Sequence, residues 1–239
     1  MMPDHPSRVS RRVALGVAVS AGLALAGCGA SGPPADAKTS VVSLVGLDCS
    51  SCGVDLAQKL SKRDGVYSAR FDKRRAELVV IAAPAFDVLA AAKVDKSAEP
   101  FQLVLGAGKG SYLPWKEPPA GADVKTIAED GRDVPDLAPH LVAGKVTVME
   151  FGAPWCEPCR ALDEHLLGVL QARSDVAYRK LDVGDWDTPL GTRYLKGVAA
   201  LPYVIVFDKA GGKVDAISGL DVKRVDAAIA RGAGAPGGS

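Results

Sequence analysis

The sequence has few aromatic residues, few histidines and almost no net charge, and each shortage excludes a class of function. Aromatic residues make up 5% of the 239 residues, and the formal net charge at pH 7 is +1. With so little net charge, the sequence lacks the excess of positive charge that is typical of nucleic-acid-binding proteins. The histidines His5, His140 and His165 are far apart in sequence, so they offer no zinc-ligand spacing. The five cysteines are therefore the main candidates for chemistry.

The N-terminal segment lacks the length that a membrane-spanning helix needs. Its uncharged apolar run, residues 13–26, is shorter than the roughly 20 residues required, and an arginine-containing stretch, residues 8–12, precedes it. This pattern is typical of an export signal. The run closes on Leu-Ala-Gly-Cys, ending at Cys28, which resembles the lipobox of bacterial lipoproteins.

The lipobox resemblance implies that residues 1–27 are a lipoprotein signal peptide and that Cys28 carries the lipid. The lipid would anchor the chain to a membrane that it does not cross. The expected location is the bacterial cell envelope, in the periplasm or on the outer face of the membrane. A plain secretory signal with an incidental cysteine is the alternative.

The other four cysteines form two C-x-x-C pairs, Cys49/Cys52 and Cys156/Cys159, and no cysteine is left over. Each pair follows an apolar segment of strand character and precedes a segment of helical periodicity. Reactive or metal-binding cysteines commonly occupy such positions, because a helix N-terminus stabilises a thiolate.

The apolar pattern of residues 40–105 predicts the order βαββαβ, the ferredoxin-like arrangement. Residues 28–39, small and polar, predict a flexible tether before it. The predicted strands and helices, in chain order, are Val41–Leu47, a helix after Cys52 that stops at Asp64, Val66–Asp72, Ala76–Ala82, a helix from Ala85 to about Val94, and Phe101–Leu105.

Residues 122–231 alternate strands with helices, which predicts an α/β sandwich around a mixed sheet. The Gly- and Pro-rich residues 106–121 predict a linker in front of it, and residues 232–239 a disordered tail. The predicted elements are a short helix Val134–Ala143, a strand Lys145–Phe151, a helix Cys156–Ala172, a strand Val176–Val183, a helix Thr188–Lys196, a hairpin of Tyr203–Phe207 and Lys213–Ser218, and a helix Asp221–Arg231 capped by Asp221.

The spacing of Cys156 and Cys159 suits thiol–disulfide exchange. A thiolate at a helix N-terminus has a lowered pKa, and two intervening residues allow the second sulfur to resolve a mixed disulfide. Half of a zinc site is the alternative, which the absence of a second pair or nearby histidine at ligand spacing in this region disfavours.

Residues 122–231 resemble the thioredoxin superfamily in three separated features. The strand ending at Phe151 leads into Gly-Ala-Pro-Trp-Cys-Glu-Pro-Cys, Glu150 stands six residues before Cys156, and Leu-Pro-Tyr surrounds Pro202. The Glu-Pro dipeptide between the cysteines is similar to membrane-tethered thiol reductases of the bacterial envelope. Tyr203 departs from the threonine that is usual after the proline in thioredoxin itself.

The resemblance implies a role for each matching residue. Cys156 would be the attacking thiolate and Cys159 the buried, resolving cysteine. Glu150 would accept the proton of Cys159, Pro202 would form a cis peptide that shapes the substrate groove, and Trp155 would cover the site. A solvent-facing Glu150 and a trans Pro202 are the alternatives. The implied enzyme is a protein-disulfide reductase that needs no cofactor.

The first pair lies in the loop Gly46–Cys52, and residues 40–105 resemble the heavy-metal-associated domain of copper chaperones and mercury-binding proteins. The resemblance rests on this Gly-x-x-Cys-x-x-Cys loop and on Leu60, Gly65 and Val66. It implies that Cys49 and Cys52 bind Cu(I) or another soft metal ion, because soft thiolates select such ions. A redox relay and a static disulfide are the alternatives.

Together these features predict an exported thiol–disulfide oxidoreductase, acting as a reductase, coupled to a metal-binding or redox-relay pair. The expected partners are protein disulfides, a metalloprotein or copper-site partner, an upstream membrane thiol-electron donor and the membrane itself. The alternative from another class is a non-enzymatic copper or mercury delivery protein with a thioredoxin-fold accessory domain.

Overall fold

The computed structural model describes residues 32–96 and 100–234, and the described residues from Pro33 onward form one compact unit. The predicted signal peptide, residues 1–27, and the predicted lipid site, Cys28, lie outside the described residues, as does most of the predicted tail. In the described part of the chain, no helix is both long enough and apolar enough to cross a membrane.

The N-terminal lobe, residues 38–112, is a sheet covered by two helices. Its elements are β1 Lys38–Leu47, α1 Ser50–Leu60, β2 Val66–Asp72, β3 Glu77–Ala82, α2 Val88–Asp95, β4 Gln102–Leu105 and β5 Ser111–Tyr112. The strand order is β2-β3-β1-β4 with antiparallel neighbours, and β5 adds a parallel pairing to β1. The order of β1 to β4 and the two helices is the βαββαβ order that the sequence predicts.

Helix α1 packs on the sheet through an apolar face of helical spacing. Leu56 and Leu60, one turn apart, are buried against Val42 and Leu44 of β1. Gly53 permits the close approach of the helix to β2, because a Cβ at this position would lie 2.4 Å from the Phe71 ring.

The C-terminal lobe, residues 123–232, is a five-stranded mixed sheet with helices on both faces. Its elements are β6 Asp123–Ala128, a 3₁₀ turn Ala138–His140, β7 Val146–Gly152, α3 Glu157–Ala172, β8 Val176–Asp182, α4 Pro189–Tyr194, β9 Tyr203–Phe207, β10 Lys213–Ser218 and α5 Val222–Gly232. The strand order is β10-β9-β7-β8-β6, with β6, β7 and β8 parallel and β9 antiparallel to both of its neighbours. The mixed sheet predicted for this part of the chain is confirmed.

Strand β7 is the centre of this sheet and is buried along its whole length. Its alternating side chains enter two apolar cores, with Val148 packed under α3 and α5 and Met149 under α4. The strand therefore holds its C-terminal end, where the second cysteine pair begins, in a fixed position.

Three elements differ from the sequence prediction. Helix α2 begins at Val88 and not at Ala85, because the Asp87 side chain accepts a hydrogen bond from the Ala90 N–H and caps the helix there. The helix expected over Val134–Ala143 is only the 3₁₀ turn, since Pro139 lacks the N–H that a longer helix needs.

The third difference lies in the segment around the predicted linker. Residues 106–121 contain β5, and β6, which follows directly, was not predicted as a strand. In β6 the exposed Lys125 and Thr126 interrupt the apolar pattern, because this strand forms an edge of the sheet. Tyr112 and Trp115 of the segment pack on the N-terminal and C-terminal cores respectively.

Candidate redox site

The second cysteine pair joins the end of β7 to the start of α3 as a disulfide between Cys156 and Cys159. Cys156 is the N-cap of α3, and its sulfur accepts a hydrogen bond of 3.2 Å from the Cys159 N–H. Pro158 stands in the first turn, where its missing N–H leaves no helical hydrogen bond unmade. Cys159 is fully buried and Cys156 is 4% exposed.

Pro202 directly precedes β9, and the Leu201–Pro202 peptide bond is cis, as the sequence resemblance implies. Trp155 is held by a hydrogen bond of 2.7 Å from its Nε1 to the carbonyl oxygen of Gly184. Trp155, Cys156, Trp186 and Leu201 line one groove of about 210 Å³. The indole ring thus forms part of the groove wall beside Cys156.

Glu150 is in the middle of β7 and is 2% exposed, so the solvent-facing alternative is wrong. The Tyr178 hydroxyl donates a hydrogen bond to Glu150 Oε2, whereas Oε1 has no hydrogen-bond partner among the described residues. Burial raises the pKa of Glu150 to about 8, and the nearby charge of Asp163 adds to the rise. The carboxyl group is therefore largely protonated at neutral pH.

Gly152 leaves a small space between Glu150 and the resolving cysteine. A Cβ on Gly152 would lie 3.1 Å from Glu150 Oε1 and 3.2 Å from Cys159 Sγ. Both atoms therefore face the same small space.

Three further polar side chains surround Glu150, and the sequence analysis did not single them out. Lys180 Nζ lies 2.5 Å from Asp163 Oδ1, and the Tyr178 hydroxyl lies 3.1 Å from the same oxygen. Lys180 Nζ also lies 3.9 Å from the centre of the Trp115 ring. The alternation of side chains along β8 could have indicated two of them, because it places Tyr178 and Lys180 on the same face of the sheet. In the strand register, Lys180 is paired with Glu150.

A cavity of about 280 Å³ adjoins this buried cluster. Glu150, Asp163 and Lys180 line it, together with Trp115 and Pro118 of the segment before β6. The buried carboxyl group of Glu150 thus borders a space large enough for several water molecules.

The first cysteine pair lies at the start of α1, where Cys49 is the N-cap and Cys52 lies in the first turn. Both are thiols, both are half-buried, and their sulfur atoms are 3.7 Å apart. The Ser51 hydroxyl lies 2.9 Å from Cys49 Sγ. Within residues 32–96 and 100–234, no group of three or more His, Cys, Asp or Glu side chains could hold a metal ion.

Comparisons with known proteins agree on the C-terminal lobe. The thioredoxin family model matches residues 139–230. Mitochondrial thioredoxin-2 of Schizosaccharomyces pombe is 30% identical over 40% of this chain and 69% of its own length. Thioredoxin of Malassezia sympodialis is 33% identical over 36% of this chain and 79% of its own length. The solved structure of Trichomonas vaginalis thioredoxin is 29% identical, covers 37% of this chain and 80% of its own, and has a TM-score of 0.31.

The matched region, residues 139–230, contains the disulfide of Cys156 and Cys159, the buried Glu150 and the cis Pro202. Thioredoxins act on protein disulfides through such a pair, and their fold needs no cofactor. The chain belongs to the thioredoxin family, and it is a thioredoxin-like disulfide oxidoreductase.

Proposed function

We propose that the chain reduces protein disulfides with Cys156 as the nucleophile. The observation that carries this proposal is the position of Cys156 at the N-terminus of α3, where its sulfur accepts the Cys159 N–H. Unpaired helix N–H groups and the helix dipole favour the thiolate over the thiol. The other sulfur, on Cys159, is fully buried and suits the resolving role.

The reaction proceeds in two exchange steps. The Cys156 thiolate attacks one sulfur of the substrate disulfide, which forms a mixed disulfide and releases the other sulfur as a thiolate. Cys159 then loses its proton and attacks Cys156 Sγ, which releases the second substrate thiolate. The substrate gains two electrons and two protons, and Cys156 and Cys159 become the disulfide that the structure holds.

In its ionised form, Glu150 accepts the Cys159 proton in the second step. Its Oε1 atom faces the space beside Gly152 into which Cys159 Sγ also projects. The Glu150 pKa of about 8 is close to the pKa of an ordinary thiol, which favours proton transfer between the carboxylate and Cys159. Pro202 and Trp155 shape the groove in which the substrate disulfide meets Cys156.

Insulin reduction in the presence of dithiothreitol tests this function. Cys156→Ser should abolish the activity, and Cys159→Ser should accumulate a mixed disulfide with the substrate. Cys49→Ser/Cys52→Ser is the matched control and should keep insulin reduction. Undiminished turnover by Cys156→Ser would overturn the mechanism.

The N-terminal lobe is proposed to be a ferredoxin-like, heavy-metal-associated domain. Its strand order β2-β3-β1-β4 and its dithiol loop before α1 support this assignment. Two thiols 3.7 Å apart fit a soft ion of low coordination number, so Cys49 and Cys52 would hold Cu(I). The same pair in a redox relay, or as a structural disulfide, remains the alternative use.

Competition for Cu(I) with a chromogenic chelator separates these uses. Metal binding predicts one Cu(I) per chain, lost in Cys49→Ser/Cys52→Ser and kept in Cys156→Ser/Cys159→Ser. One Cu(I) per chain together with no insulin reduction by the unaltered protein would favour the non-enzymatic metal delivery protein.

The cell-envelope location is proposed from the sequence of residues 1–28 alone. Cleavage before Cys28 and its lipidation would place the chain beside membrane thiol-electron donors, and copper-site cysteines of a partner would be among its substrates. Expression in a bacterium with a labelled fatty acid should label the unaltered chain and leave Cys28→Ala unlabelled. Equal labelling of both would contradict the lipid anchor.

A further inference from the structure

We propose that Cys49 is the internal exchange partner of Cys156, so that electrons pass between the two cysteine pairs within one chain. The inference rests on the proposed function, because it uses the same nucleophile. It names the substrate as a disulfide of this chain, where the proposed function requires only a protein disulfide.

The first observation is that both lobes line the groove at Cys156. Ser50 and Ser51, the two residues between Cys49 and Cys52, line it together with Trp155 and Cys156. The loop of the first pair thus lies against the groove into which a substrate disulfide must enter.

The second observation is the low exposure of the nucleophile. Cys156 is only 4% exposed in the compact unit, although an attacking thiolate must be reached by its substrate. The loop that carries Cys49 is already at the groove of this buried sulfur, because Ser50 and Ser51 line that groove.

The third observation is that polar contacts hold the two lobes together around this groove. Lys73 Nζ, from the turn between β2 and β3, lies 2.9 Å from Asp185 Oδ1 and 4.0 Å from the centre of the Trp155 ring. Arg160, one residue after Cys159, donates a hydrogen bond of 2.6 Å to the carbonyl oxygen of Leu113, whose own N–H donates to the Leu47 carbonyl oxygen of β1. These contacts involve neighbours of both reactive cysteines, so they fix the approach of the loop.

The two cysteines of the first pair are not equivalent. Cys52 packs against the core of the N-terminal lobe, whereas Cys49 occupies the N-cap position of α1 and is not part of that core. Cys49 is therefore the sulfur that can leave its partner and meet Cys156. In the structure the first pair is a dithiol and the second a disulfide, the two states that one exchange interconverts.

The exchange balances within the chain. With the first pair oxidised and the second reduced, the Cys156 thiolate attacks Cys49 Sγ, and the Cys49–Cys52 bond breaks to leave a Cys52 thiolate. Cys159 then loses its proton and attacks Cys156, which forms the Cys156–Cys159 disulfide and releases the Cys49 thiolate. Two electrons move to the first pair, and its thiolates take up two protons.

The test is to trap the intermediate in the full-length chain carrying Cys28→Ser and Cys159→Ser. After oxidation with glutathione disulfide, non-reducing peptide mapping should find a Cys49–Cys156 cross-link. The rate of its formation should not depend on protein concentration, because the reaction is intramolecular. Adding Cys52→Ser should keep the cross-link, and adding Cys49→Ser should lower the yield of any internal cross-link at least tenfold.

Two outcomes would overturn the inference. One is that Cys156 carries only glutathione, and the other is that cross-links form only between chains, at a rate that rises with protein concentration. Insulin reduction by Cys49→Ser/Cys52→Ser separates this failure from failure of the proposed function. If insulin is reduced but no internal cross-link forms, the reductase function stands and the internal relay is wrong. If insulin is not reduced and no cross-link forms, both proposals are wrong.

Discussion

Glu150 is the residue on which the proposed proton transfer and the pH dependence of stability both depend. The carboxyl group is buried in the central strand, and burial raises its pKa to about 8. A raised pKa means that the folded protein holds a proton that the unfolded chain releases at a lower pH. The same residue therefore makes predictions for catalysis and for stability.

Glu150→Gln should slow the second exchange step by about tenfold to a hundredfold, because the proton acceptor for Cys159 is lost. Ionised Glu150 increases as pH passes through about 8, so the rate of the unaltered chain should rise there. In the variant that component of the pH profile should be absent. Stopped-flow measurement of mixed-disulfide resolution from pH 6 to 10 checks this, and identical profiles would contradict the role.

Glu150→Gln should also change the pH dependence of stability. Between the ordinary carboxyl pKa of about 4.5 and the folded value of about 8, the folded state binds more protons than the unfolded state. The free energy of unfolding must then fall as pH rises through this window. At about 1.4 kcal/mol for each pKa unit, the glutamine variant should gain a few kcal/mol relative to the unaltered chain between pH 5 and pH 8. Denaturant unfolding at both pH values measures the difference, and parallel pH dependences would contradict it.

Gly152→Ala should fill the space that Glu150 and Cys159 share. The new Cβ would lie 3.1 to 3.3 Å from Glu150 Oε1, Cys159 Sγ and Cys159 Cβ, closer than ordinary contacts. We expect a loss of about 1–3 kcal/mol in the free energy of unfolding and slower resolution. The matched control is Gly168→Ala at an exposed position of α3, where a new Cβ would meet nothing within 4 Å; this change should stabilise the fold by about 0.5–1 kcal/mol. Equal effects of the two changes would contradict the account.

At the scale of elements, the turn between β2 and β3 connects the lobes. Lys73 contacts Asp185 and Trp155, and Arg74 Nη2 lies 2.8 Å from Asp130 Oδ1. Exposed ion pairs contribute about 0.2–1 kcal/mol each. Loss of these contacts should therefore increase the accessibility of Cys156 moderately and should not expose it fully.

Lys73→Ala/Arg74→Ala should raise the rate at which iodoacetamide alkylates Cys156 in the reduced chain by several-fold. The measurement belongs at about pH 9, so that the loss of two positive charges near the thiol does not dominate the rate. Lys62→Ala, an exposed lysine of the same lobe, is the control and should leave the rate unchanged. An unchanged rate in the double variant would show that the turn does not control access to Cys156.

The elements also show where sequence patterns suffice and where they fail. The βαββαβ order and the strand before Cys156 follow from apolar periodicity, and the Asp221 cap of α5, which accepts from the Arg224 N–H at 3.0 Å, follows from local chemistry. Edge strand β6 could not be predicted in this way, since its exposed side chains leave no alternating apolar pattern. The predicted start of α2 at Ala85 was also wrong, because the Asp87 side chain caps the helix just before Val88.

At the scale of the whole molecule, the sequence predicted the disulfide chemistry of one lobe but not how the lobes meet. The sequence allowed four site residues to be predicted, because each lies in or near a motif that resembles the thioredoxin superfamily: Cys156, Cys159, Glu150 and Pro202. Tyr178, Asp163 and Lys180 could not be predicted, since they reach Glu150 through strand pairing and helix packing. The groove shared by Ser51 and Cys156 depends on contacts between residues about a hundred positions apart, which no local pattern encodes.

The central claim is that the Cys156/Cys159 pair supplies electrons to disulfides, including the first pair. An equilibrium redox titration of the Cys28→Ser chain, with mass tagging of each cysteine, tests it most directly. The account predicts that Cys156–Cys159 titrates more than about 30 mV below Cys49–Cys52, a tenfold bias for a two-electron couple. A potential above that of the first pair, near the roughly −120 mV of a strong oxidant, would mean that the chain oxidises thiols and would contradict the reductase assignment.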